Sequence, residues 1–198
     1  MIEIRIEGVD KLLAKLNDDV KAIARAMRNA ENTTATALRK AALQSVVRIF
    51  NIKEARLKKD SRGRDTIFIR RSSPTNPGAT ITFRGGDSPK SGDRPGLQHF
   101  KTDKQERNKK QKGWTPTVQI RRGGSPESIA NAFYGVGKLK GQGIFQRQEG
   151  LRKIVRRTGP SIKQMVEHSE VLPSVKAQGE SIFRQKLIEA IGKQLAKK

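Results

Sequence analysis

The residues best equipped for chemistry in this chain are lysines and arginines, and they fall into three clusters. Lys53, Arg56, Lys58, Lys59, Arg62 and Arg64 lie in residues 53–71, a stretch with eight positive and three negative side chains. Arg152, Lys153, Arg156, Arg157 and Lys163 have no acid between them, and Arg107, Lys109, Lys110 and Lys112 form the third cluster. Ammonium and guanidinium groups offer N–H donors with full positive charge, so each cluster suits phosphate or carboxylate. A charge run by itself is commonly a solvated face. Three runs, together with 42 Lys+Arg against 19 Asp+Glu and a formal net charge of +23, weigh instead toward a polyanionic partner, nucleic acid or an acidic protein surface. Trp114 and Tyr134 stand far apart, so base stacking is not expected. Any nucleic-acid contact should be to phosphate and independent of base sequence.

Other candidate sites are weaker. The segment from Gly135 to Gly143 is glycine-rich and basic, and its amides have the character of a phosphate cradle. It lacks the Gly-Lys-Ser/Thr ending of a nucleotide loop, and a flexible connection between strands is the expectation. His168, between Glu167 and Ser169 with Glu170 beyond, brings acid and base residue types together. Their side chains point to different sides of a helix, so a solvated polar turn is expected. His99 is isolated, and two lone histidines without clustered carboxylates make no metal site. The absence of cysteine removes disulfides, thiolate ligands and cysteine nucleophiles, and fits a reducing cytoplasm. Neither an enzyme nor a cofactor or metal is expected.

The elements that must position the clusters follow from periodicity. Ile2, Ile4 and Ile6 alternate with charged residues as a short strand ended by Gly8. Leu12, Leu13, Leu16, Val20, Ile23 and Met27 then recur at helical spacing behind Asp10, predicting a helix over 10–30. A second helix is predicted from Asn32 or Thr33 to Phe50, with Ala35, Leu38, Ala42, Val46 and Ile49 on one stripe. Its alanines leave room for another helix to approach closely. Residues 66–70 and 79–83 read as a hairpin around a long Ser72–Gly78 turn, and further strands are expected at 117–121, 143–147 and 151–156. A short helix after Ser161 and a final amphipathic helix from Pro173 complete the pattern.

At 198 residues the chain is expected to form a single domain over 1–198. The class is α+β: an antiparallel sheet of four to five strands packed against two N-terminal helices and one C-terminal helix. Residues 84–113 are too polar and glycine-rich to offset their ordering entropy, and are expected to form an extended basic arm. Its two large apolar residues, Leu97 and Phe100, either dock in a neighbouring subunit or tuck back onto their own sheet. The opening segment lacks the apolar core of a secretory signal, and no run of about 18 apolar residues suggests a membrane span or membrane partner.

The strand-Gly-helix opening (Ile6 to Leu12), the Ala-rich second helix followed by Ile52 to Lys59, Gln119 to Arg122, Asn131-Ala132-Phe133, and Ile154-Val155 before a Pro-containing turn and last helix form one pattern. It resembles the minor tail protein Z family of lambdoid phages and prophages, which is akin to neck or tail-completion proteins of long-tailed phages. The resemblance implies a structural virion protein at the head-proximal end of the tail, assembled in the host cytoplasm. It further implies a homo-oligomeric ring, a hexamer by analogy, with a tail terminator and a head-closure protein as neighbours and possible contact with genomic DNA. A sequence-independent nucleic-acid-binding protein of ribosomal or nucleoid type is the alternative that the charge allows.

Overall fold

A computed structural model describes residues 20–59, 64–85, 94–104, 115–135, 143–147 and 153–195. These residues build an α+β protein in two compact units. One gathers residues 20–45, 67–83 and 168–195, and the other gathers 46–66 and 84–167 as far as they are described. The chain was expected to form one domain. The predicted N-terminal strand and the predicted helix residues 10–19 lie outside the described residues.

In the first unit, helix α1 (Val20–Ile49) supplies its first six turns and more, and helix α4 (Val171–Leu195) packs against it. Leu38 of α1 faces Gly179 of α4, and Ala30 clusters with Phe183 and Leu187 while Met27, Ala190 and Ile191 close the edge. Rising numbers on one helix meet falling numbers on the other, so the pair is antiparallel. A Cβ on Gly179 would sit 3.1 Å from the Leu38 methyls, which shows how near the small residue lets the helices come. The hairpin of β1 (Ile67–Arg70) and β2 (Thr80–Phe83) pairs Ile67 with Phe83 and Arg70 with Thr80, around the predicted turn.

Two helices were predicted across residues 10–50, with a break near residue 31. The described part is one continuous helix. The residues that would have capped a second helix are satisfied otherwise: Thr33 and Thr36 hydroxyls donate to the carbonyls of Asn29 and Asn32 within the helix. Asn32 turns its amide outward, donating to the Ser72 carbonyl at 3.2 Å and accepting from the Ser72 N–H at 2.8 Å.

The second unit contains helix α2 (Ala55–Lys58), strands β3 (Lys101–Lys104), β4 (Pro116–Gln119), β5 (Glu127–Ser128), β6 (Ala132–Tyr134), β7 (Ile144–Arg147) and β8 (Ile154–Arg156), and helix α3 (Ile162–Val166). The single sheet of four to five strands is not what forms. The eight described strands make three antiparallel sheets, β1-β2, β3-β4-β5 and β6-β7-β8. Strands of two to four residues pair with a neighbour in sequence, where closing the loop costs least, and run out before they can extend a common sheet. At the end of α1, Arg122 donates its side-chain Nε to the Val47 carbonyl at 2.9 Å and its backbone N–H to Ile49, occupying carbonyls that the helix leaves open.

Part of the predicted arm is built into this unit. Residues 97–99 form a single 3-10 turn, Lys101–Lys104 pair with β4, and Leu97 and Phe100 are buried within their own unit. Of the two fates expected for that apolar pair, the inward one is found: the Phe100 ring packs against Gly159, where no side chain intervenes. Ser161 then starts α3 as a full capping box, accepting from the Gln164 N–H while Gln164 Oε1 accepts from Ser161 N–H at 2.9 Å.

The Gly159–Phe100 contact can be tested directly. A Cβ at Gly159 would penetrate the Phe100 ring, so Gly159→Ala should cost about 1–3 kcal/mol, as overpacking of a filled core does. Gly123→Ala, where a Cβ meets nothing within 4 Å, should stay within about 0.5 kcal/mol of the parent. Urea unfolding midpoints of the two variants measure the difference.

Candidate anion-binding site

In the second unit, residues 94–97 run antiparallel to residues 157–159. The Gly159 N–H donates to the Pro95 carbonyl at 2.8 Å, the Leu97 N–H to the Arg157 carbonyl at 3.2 Å, and Gly96 forms a bridge with Thr158. Arg94 adds a side-chain bond from Nε to the Gly159 carbonyl at 2.8 Å. On another wall, Thr66 ties back to the end of α2, its N–H donating to the Lys58 carbonyl at 3.0 Å and its hydroxyl to the Leu57 carbonyl.

Between these segments lies a pocket of about 260 Å³. Arg56, Lys59, Arg94, His99 and Arg156 bring its charge and N–H donors, and Leu57, Thr66, Pro95, Gly96 and Ile162 complete the wall. Among the described residues, no carboxylate lines it. Lys58–Glu54 at 2.9 Å, Lys163–Glu167 at 3.9 Å and Lys186–Glu189 at 2.8 Å are ion pairs between residues outside the lining. Gly143 contributes by having no side chain and a φ of +133°. A Cβ there would lie 2.7 Å from Gln98 Oε1 and 3.2 Å from Arg156 Nε, so glycine lets both side chains close in.

His99 records the field of this pocket. Burial pushes its imidazole below the ordinary histidine value, and the positive charges of Arg56 and Arg156 push it further the same way. The ring is therefore neutral at neutral pH, with its Nε2 3.4 Å from the Gln98 amide nitrogen. Such an arrangement of four permanent cations and an uncharged imidazole can attract and hold a small anion.

The pocket unites residues that are distant in sequence. Arg56 and Lys59 from the first predicted cluster meet Arg156 from the second. Other members do not join them: Lys53, Lys153 and Arg157 are exposed away from the lining, Lys58 pairs with Glu54, and Arg64 is exposed outside the pocket. Arg62, Lys109, Lys110 and Arg152 lie outside the described residues. Arg94 was not foreseen, and His99 was set aside as isolated. The signal for both was the apolar pair between which His99 sits, since burial of Leu97 and Phe100 gives their neighbours a fixed position. His168 lies in the turn before α4, its carbonyl accepting from the Val171 and Leu172 N–H groups and its Nδ1 facing the Glu170 N–H at 3.4 Å. Among the described residues, no group of three His, Asp or Glu is arranged to hold a metal ion, and no helix is long and apolar enough to cross a membrane.

Comparison with protein-family models, curated proteins and solved structures finds no match for this chain.

The lowered His99 value carries a stability consequence. The unfolded chain binds a proton near the ordinary pKa of about 6.5 while the folded chain resists it, so the stability contributed by neutral His99 is full above that pH and is lost as pH falls through the lower folded value. Thermal melts at low salt between pH 7.5 and 5 should show this decline. His99→Gln, which cannot titrate, should flatten it.

Proposed function

We propose that this chain is a structural virion subunit of the phage neck or tail top, a tail-completion or head-tail joining ring subunit that engages phosphate or acidic neighbours through its cationic surface. The observation that carries the polyanion half is the pocket in which Arg56, Lys59, Arg94 and Arg156 converge with no carboxylate among the described lining residues. The virion half is supported by the resemblance to the minor tail protein Z family and by the +23 charge, which finds its balance outside the chain. Its role is to assemble, not to catalyse. Its neighbours are further copies of itself, a hexamer by analogy, with a tail terminator, a head-closure protein and the DNA threaded through them.

A sequence-independent nucleic-acid-binding protein of ribosomal or nucleoid type is the second possibility. The same pocket favours it, because phosphate recognition needs no virion around it.

Three measurements separate these. A structural subunit should bind duplex DNA at micromolar strength or weaker in physiological salt, with log K falling against log salt by about 0.9 per phosphate contacted. Its solution mass should be a multiple of 22.1 kDa, and immunogold label should mark the head-proximal end of the tail. Submicromolar binding by a monomer that is absent from particles would overturn the virion assignment in favour of the second.

A further inference from the structure

We infer that the pocket of the second unit is a site for a doubly charged phosphate group, either inorganic phosphate or the terminal monoester of a nucleic-acid strand, in preference to the singly charged diesters within a strand. This deepens the proposed function and rests on its polyanion-binding half alone.

Charge is the first argument. Arg56, Lys59 and Arg156 face one cavity together with Arg94, and among the described lining residues there is no carboxylate. An internal diester would bring them one negative charge. A monoester brings about 1.5–2 at neutral pH, together with three terminal oxygens in place of two. The donors come from separate walls, namely α2 and the residue after it, the strap at residue 94, and β8, so they can address different oxygens of one group.

Size is the second argument. At about 260 Å³ the pocket falls just below the ~300 Å³ at which sites for larger organic ligands begin. Among the described lining residues the one aromatic ring is the His99 imidazole, which offers a nucleobase little face to stack upon. The dimensions and lining favour the phosphate group itself.

His99 supplies a third observation, independent of affinity. The charged groups that share the pocket with it are cations, Arg56, Lys59, Arg94 and Arg156, with no carboxylate among the described lining residues. A dianion seated among them reverses the field at the ring, so its protonated form becomes favoured and a proton is taken up from solvent as the anion enters.

The experiment uses the full chain at low ionic strength. Inorganic phosphate should bind at millimolar strength or tighter by calorimetry in a cationic buffer, and should move the His99 NMR titration midpoint upward. Arg56→Ala and Arg156→Ala, both at exposed positions that folding tolerates, should each weaken phosphate at least tenfold. Arg147→Ala removes an exposed charge outside the pocket and should leave it unchanged. A 5′-phosphorylated oligonucleotide should bind at least threefold tighter than its 5′-hydroxyl twin, with Arg156→Ala erasing the difference. Equal weakening by all three substitutions, or an unmoved His99 midpoint at saturating phosphate, overturns the site. Equal binding of the two oligonucleotides overturns the monoester preference while leaving polyanion binding in place, and binding of neither defeats both.

Discussion

The antiparallel run of residues 94–97 along 157–159 is the constraint on which the candidate site depends. Its main-chain hydrogen bonds, reinforced by Arg94 Nε on the Gly159 carbonyl, hold the strap carrying Arg94 and His99 beside the strand that ends in Arg156. Phe100, seated on Gly159, fixes the same strap from its apolar side. Like charges do not gather by themselves. At 4 Å two of them repel by about 1 kcal/mol in bulk water and about 4 kcal/mol at an effective dielectric of 20. Backbone pairing and aromatic burial supply the compensation, and they act on atoms that carry no charge.

Gathering cations in this way has an electrostatic cost. His99 reports part of it: burial is the larger cause of its lowered ionisation, and the positive charges of Arg56 and Arg156 add to it. The first unit shows a different economy. Leu38 against Gly179 and Ala30 against Phe183 and Leu187 form an ordinary packed pair of helices, whose charged side chains remain outward. Apolar side chains are buried in both units, while most of the described lysines and arginines remain at the surface.

Much of the local structure was legible along the chain. The Thr66–Arg70 and Ala79–Phe83 alternations, the Ser161 start of α3 and the apolar face of α4 all follow from side-chain period and capping chemistry, which depend on near neighbours. The failures are equally specific. Asn32 and Thr33 look like a helix start, but Asn32 spends its amide on Ser72, forty residues away, and Thr33 bonds back to Asn29. Strands β1, β2, β4, β7 and β8 were readable, whereas β3, β5 and β6 and the grouping into three sheets were not, because a short strand leaves little pattern and alternation does not name a strand's partner. Residues 94–104 looked like free arm on composition, yet Leu97 and Phe100 were enough to anchor them.

For the site, the amino-acid sequence determined the inventory: which cations exist, that they outnumber acids by more than two to one, and that no thiol chemistry is available. Those are properties of residue types and hold in any fold. Which cations share a pocket was decided only by the tertiary structure. Arg56, Arg94 and Arg156 are separated by roughly forty to sixty residues along the chain, and hydrogen bonds between distant backbones, which no local pattern encodes, bring them to one cavity and leave Lys53 and Lys153 outside it.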